Sequence, residues 1–218
     1  MAELDSDFIA RFFCEAAARL EEQRDELCQL DGLVGDGDHG TSMANGFAAL
    51  AALVRGGSSH TKIPGALLRE AADEFLSHVG ATVGPLYATG LLDTSEAMGE
   101  GAPWELNEFP RLMACLTQGI ARRGKAAEGD KTMLDAWLPA TPAAEASLAR
   151  GASAAEAALC AREAAAEGAR ATASMIASRG RAARLKERSI GYQDPGAVSA
   201  SIVIEALVET IEATPEAR

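Results

Sequence analysis

Leu30-Asp31-Gly32-Leu33-Val34-Gly35-Asp36-Gly37-Asp38-His39-Gly40 interrupts a sequence whose apolar pattern is helical on both sides of it. Three carboxylates fall within eight residues. Like charges so close repel, and their pKa values rise unless a cation keeps them ionised. Asp and Gly also favour plain turns. The third Asp upstream and the bracketing glycines weigh against that simpler reading. As an EF-hand the loop fails: counted from Asp36, the sixth position is Thr41 and the twelfth Phe47, where Gly and Glu are required. No Cys and only one His lie nearby, which argues against zinc. Carboxylates alone suit Mg²⁺, which takes one or two of them, several waters and phosphate oxygens.

Outward from this loop the spacing predicts helices almost throughout. Phe8, Ile9, Phe12, Phe13, Ala16, Leu20 and Leu27 recur at helical steps after a cap at Ser6. One helix there carries both Cys14 and Cys28. A second is predicted from about Ser42 to Leu53. A third starts near Thr61, with Pro64 in its first turn. The segment 78–85 ends it, and a fourth runs to about Met98. Trp104 to Ile120 gives a fifth. Asp130 or Thr132 opens a sixth, distorted at Pro139 and Pro142, because proline removes a backbone donor. Ser153-Ala154-Ala155-Glu156 is a capping-box pattern that starts a seventh helix to about Ser178. Asp194-Pro195 opens an eighth, to about Ala213, with Asp as N-cap and Pro at the first position. Eight helices without a convincing strand make a single all-α domain over residues 1–218.

Composition narrows the function classes. The 218 residues suffice for one sizeable core. The net charge of −12 excludes a general nucleic-acid binder, which needs a basic face. No apolar run approaches the ~20 residues that span a bilayer, and the acidic start Met1-Ala2-Glu3-Leu4-Asp5 is unlike a signal peptide. Cys14, Cys28, Cys115 and Cys160 have no metal-binding spacing and read as reduced thiols of a cytoplasmic protein.

Three further segments carry chemistry. Gly80-Ala81-Thr82-Val83-Gly84 lies between two helices, where backbone N–H groups and a helix start can meet an anion. Arg123-Gly124-Lys125 to Met133 is a Gly-bounded loop with cations. Residues 178–189 hold five cations and one acid in an otherwise acidic chain. Cations complement a helix C-terminus, which accounts for Arg179 and at most Arg181 at the end of helix seven but not for the whole run; guanidinium forks recognise phosphate. There is no Walker P-loop and no recognisable Ser-His-Asp or Cys-His arrangement.

In order, these pieces are Asp31 with Gly35-Asp36-Gly37-Asp38-His39-Gly40; Val79-Gly80-Ala81-Thr82-Val83-Gly84-Pro85-Leu86-Tyr87; Arg123-Gly124-Lys125 with Gly129-Asp130-Lys131-Thr132-Met133-Leu134-Asp135; and Gly180-Arg181-Ala182 with Glu187-Arg188-Ser189-Ile190-Gly191-Tyr192-Gln193-Asp194-Pro195-Gly196-Ala197. The set resembles the nucleotide-binding L subunits of dihydroxyacetone kinases (the DhaL or Dak2 domain family), over essentially the whole chain. The resemblance implies a closed barrel of eight antiparallel helices with ADP or ATP in the loops at one end. It implies two Mg²⁺ ions on Asp31, Asp36 and Asp38. The implied nucleotide contacts are His39, Gly40, Thr41 and Ser42; Thr82 and Val83; Gly124 and Met133; Arg181; and Asp194, Pro195 and Gly196. Arg181 is the implied catalytic side chain.

The implied reaction moves a phosphoryl group to a short ketose held on a separate K subunit. In the carrier-dependent type a phosphohistidine M subunit recharges bound ADP, and residues 187–193 look more like that type. Partners are then other subunits, with no nucleic acid or membrane, and a homodimer is one option. The alternatives are an ATP-dependent ketotetrose kinase subunit and a non-catalytic, nucleotide-bound scaffold. The scaffold reading rests on Val83, which stands where the family pattern has a hydroxyl residue; Ala88 likewise stands where Gly is common. A fatty-acid kinase subunit has a related Asp loop, but usually Thr where this chain has His39.

Overall fold

The computed structural model describes residues 2–58, 63–80, 82–215 and 217. Nine α-helices are present among them: α1 Ser6–Glu22, α2 Arg24–Val34, α3 His39–Leu53, α4 Pro64–His78, α5 Val83–Met98, α6 Phe109–Gly124, α7 Leu134–Ala149, α8 Ala154–Ala171 and α9 Pro195–Glu212. The predicted start at Thr61, and Ala81 of the glycine-rich segment, lie outside the described residues.

Eight of the nine helices form a closed ring. α1 packs on α3, α3 on α4, and so on through α8 and α9, and α9 returns to α1. Neighbours run antiparallel where side chains mark the register. Arg11 bonds Thr214 and Arg19 pairs with Glu205 and Glu209, so α1 and α9 run in opposite directions. Gly168, late in α8, lies against Asp135, early in α7. Trp137, Tyr87, Phe8, Phe13, Phe75 and Phe109 fill the interior with almost no exposure. All-α architecture and ring agree with expectation; the count of eight does not. The first predicted helix is divided at Gln23, whose backbone leaves helical geometry (φ −94°, ψ 6°). Cys14 and Cys28 therefore lie on different helices, and α2 stands outside the ring, packed on α3 and α9.

Other boundaries moved for identifiable reasons. Asp5, not Ser6, caps α1: its carboxylate accepts the Phe8 N–H at 2.7 Å. α7 continues through Pro139 and Pro142 as one helix. Pro139 cannot donate to the Asp135 carbonyl, and Gly168 of α8 packs against that same carbonyl, where a Cβ would overlap it. α8 shows a buried stripe of Ala157, Ala158, Ala161, Ala165 and Ala169, so small side chains let α8 approach α7 closely. Its Ser153–Glu156 capping box forms as predicted. α8 ends at Ala171 rather than near Ser178, so the basic run 179–188 follows no helix terminus. The dipole explanation for Arg179 and Arg181 is thereby removed.

Candidate functional site

At one pole of the ring, α3, α5, α7 and α9 all begin, and α6 and α8 end. A cleft of about 270 Å³ opens there. The first helical turns of α3, α5 and α9 line it through His39 and Ser42, Val83, and Pro195 and Gly196. Helix N-termini carry unsatisfied N–H groups and partial positive charge, which suit an anion.

The acidic loop is organised by one of its own members. Asp31 sits near the end of α2 and is 8% exposed. Its Oδ2 accepts the backbone N–H groups of Gly37 (2.9 Å), Asp38 (3.0 Å) and His39 (3.2 Å). Gly37 has φ +79°, a left-handed conformation that glycine adopts without strain. The result places ligand oxygens of Asp31, Asp36 and Asp38 within 4.8 Å of one another. Asp36 and Asp38 are exposed. Burial and the neighbouring Asp36 push the Asp38 carboxyl above its usual range. Three clustered, all-oxygen donors fit a hard divalent cation such as Mg²⁺. The Arg181 guanidinium ion-pairs with Asp36 and lies 3.7 Å from Asp38. It thus reaches the cluster from the other side of the cleft.

His39 is buried, and its Nε2 lies 2.8 Å from the Ser199 Oγ of α9. Ser199 donates to the Gly196 carbonyl at 3.0 Å. The imidazole therefore ties the start of α3 to α9, and burial lowers its pKa. Asp194 caps α9 by accepting the Ala197 N–H at 2.8 Å. Burial, with Asp135 and Asp31 adding to it against the cap and Lys131, raises its carboxyl to about 7.

Most residues singled out from sequence meet here. Asp31, Asp38, His39, Ser42, Thr82 and Val83 line the cleft, as do Gly124, Met133, Arg181, Asp194, Pro195 and Gly196. Three others are not in its lining: Asp36 stands exposed beside it, paired with Arg181, and Gly40 and Thr41 are placed differently. Gly40 is buried on α2, where a Cβ would overlap the Arg24 carbonyl and crowd Cys28. The Thr41 hydroxyl lies 3.5 Å from Cys28 Sγ. Both therefore seat α3 on α2 rather than form the cleft wall.

Sequence reasoning missed a second anchoring carboxylate. Asp135, 3% exposed, accepts the Gly129 N–H at 2.6 Å and the Thr132 N–H at 2.7 Å. It orders the 129–132 loop much as Asp31 orders 37–39. The signal was present as Thr132-x-x-Asp135, a capping-type spacing. Lys131 was also missed. It is 2% exposed and donates to three main-chain carbonyls, those of Met175, Ser189 and Tyr192.

Comparison with known proteins gives a consistent result. The DAK2 domain matches residues 33–209. The PEP-dependent dihydroxyacetone kinase 1 ADP-binding subunit DhaL of Listeria innocua is 32% identical, over 94% of this chain and 97% of its own length. The corresponding DhaL of Escherichia coli K12 is 34% identical, over 83% and 85%. The D-erythrulose kinase of Mycolicibacterium smegmatis is 32% identical over 93% of this chain, which spans 35% of that longer protein. The crystal structure of the dihydroxyacetone kinase of C. freundii in complex with AMP-PNP and Mg²⁺ superposes with a TM-score of 0.67 at 26% identity, over 92% of this chain and 33% of that one. Its native form gives 0.71 at 25% identity, over 34% of that chain. With the matched region spanning most of the sequence, this chain belongs to the DAK2 domain family.

Proposed function

We propose that this chain is the ADP-binding subunit of a dihydroxyacetone kinase of the carrier-dependent type. The observation that carries the reading is the meeting of Asp31, Asp36 and Asp38 with Arg181 and helix N-termini around one cleft. The names of the relatives matched over nearly their full length support it. Asp31, Asp36 and Asp38 would hold Mg²⁺, two ions by family resemblance, which supplies charge neutralisation for the nucleotide phosphates. The starts of α3, α5 and α9 present N–H groups to those phosphates. Arg181 adds a cation for charge that develops during transfer. The chain folds as one unit over residues 1–218 in this reading and works in the cytoplasm.

The phosphoryl acceptor, a short ketose, would be presented by a separate K-type subunit. A phosphohistidine carrier of M type would recharge ADP without its release. The test is reconstitution. Titration calorimetry with MgADP should show one tight site, and ketose phosphorylation should require both the K-type subunit and the carrier. Rapid nucleotide exchange with sustained turnover on ATP alone would instead favour the ATP-dependent ketotetrose kinase reading, which the similarity to D-erythrulose kinase keeps in play. Tight MgADP binding with no turnover on any donor would favour the scaffold reading attached to Val83.

A further inference from the structure

We propose that Asp130 and Lys131 form a joint that holds the Arg181-bearing segment over the cleft, so that Lys131 is a positioning residue for phosphate recognition. The proposal rests on the nucleotide reading above.

The Lys131 ammonium has three donors, and all three are used. They go to the carbonyls of Met175 at 3.2 Å, Ser189 at 2.6 Å and Tyr192 at 2.7 Å. These carbonyls flank residues 176–188, so one buried cation pins both ends of an arm. The Gly191 N–H to Ala173 carbonyl bond (2.8 Å) and the Ala177 N–H to Ser189 Oγ bond (3.0 Å) close its root. Burying an ammonium is costly unless each proton finds a partner, and burial lowers the pKa of Lys131 against the opposing pull of Asp194.

The backbone is unusual as well. Lys131 has φ +59°, uncommon for a residue with a Cβ. That twist lets two consecutive side chains face opposite ways. Asp130 turns outward, accepting from Ser178 Oγ at 2.6 Å and Arg179 Nε at 3.2 Å. Lys131 turns inward to the root. The arm thus has its opening residues, through Asp130, and both ends, through Lys131, fixed to the loop before α7.

It needs such fixing, because its own structure is weak. Its only regular part is a 3₁₀ segment, Ala182–Ser189, broken at Lys186 (φ 52°, ψ −128°). Arg181, half-exposed, nevertheless reaches Asp36 and Asp38 across the cleft. Small misplacements of a charge-stabilising group weaken recognition strongly. The joint therefore acts through Arg181.

The experiment compares wild type, K131M, R181A and K131M/R181A. Trypsin digestion reads the arm at its arginines, and calorimetry reads MgADP affinity. K131M is expected to speed cleavage within 176–188 and to weaken MgADP about tenfold. R181A should then cost much less in the K131M background than in wild type, because both changes disable one device. D130A, at a partly exposed position, should show the same pattern more weakly, and it carries the test if K131M does not fold. Unchanged cleavage and affinity in the variants, or fully additive losses, would overturn the joint. Wild type that binds no MgADP would overturn the nucleotide reading instead, while the digestion still judges the joint.

Discussion

The Oδ2 atom of Asp31 lies 2.9 Å from the backbone nitrogen of Gly37, six residues further on, so the acidic loop folds around one of its own carboxylates. The three acidic residues therefore differ in what their loss removes. Asp31→Ala should lower stability by about 1–3 kcal/mol, because three N–H groups lose their acceptor, and should also abolish MgADP binding. Asp36→Ala with Asp38→Ala should leave the stability within roughly 0.5 kcal/mol of wild type yet abolish Mg²⁺-dependent nucleotide binding. Thermal denaturation and calorimetry on the same samples check both.

Asp194 gives a pH dependence with a defined sign. Its folded pKa of about 7 lies above the ordinary carboxylate value. Between the two values the folded state binds the proton and the unfolded state does not. Stability from this group is therefore lost as pH rises through the window from about 4 to about 7. Asp194→Asn keeps a capping side chain and removes the buried charge. It should melt higher than wild type at pH 8, by the equivalent of at most about 4 kcal/mol, with the gap closing by pH 4. A gap that persists at pH 4 would refute this account.

Gly84 tests the placement of α5. A Cβ at this position would overlap the Val79 carbonyl. Gly84→Ala should destabilise the fold by about 1–3 kcal/mol through overpacking and weaken MgADP, because the start of α5 must shift. Wild-type stability in urea unfolding would count against it.

Val83 opens α5 and lines the cleft. Val83→Ser restores a hydroxyl at this helix start. It should tighten MgADP by roughly threefold, within the range of one added hydrogen bond, as measured by calorimetry. No change would mean that backbone N–H groups already satisfy the phosphates.

The seam of the ring is held by Arg19, which bonds Glu209 and Glu15 and lies 3.5 Å from Glu205. Arg19→Met should cost about 1 kcal/mol at low salt and less at 1 M salt, since the network is partly exposed. Melting curves at the two salt concentrations check this.

The sequence showed its capped and clustered features most clearly. Ser153 with Glu156, Asp194 with Pro195 and the acidic loop each carry side chains whose local bonds fix the backbone, so short-range reasoning reached them. The break at Gln23 has no glycine or proline to announce it. The early end of α8 depends on contacts far away in sequence: Thr172 Oγ accepts the Asp194 N–H at 2.9 Å, and Lys131 draws in the carbonyls that follow. Lys131 read as one cation among several, because nothing local distinguishes a solvated lysine from one enclosed by three carbonyls. Gly40 and Thr41 stood in the right loop, but the helical turn pointed them at α2.

The ring also decides where the molecule can be attached to anything else. Both flanks of the seam finish at the pole away from the cleft: the Leu106 N–H bonds the Ala2 carbonyl, and the Ala155 N–H bonds the Ala217 carbonyl. A polypeptide tether joined before α1 or after α9 would leave from that far pole and keep the cleft mouth clear. The same architecture is therefore compatible with life as a separate chain or as one portion of a longer one, such as the erythrulose kinase of which it matches about a third.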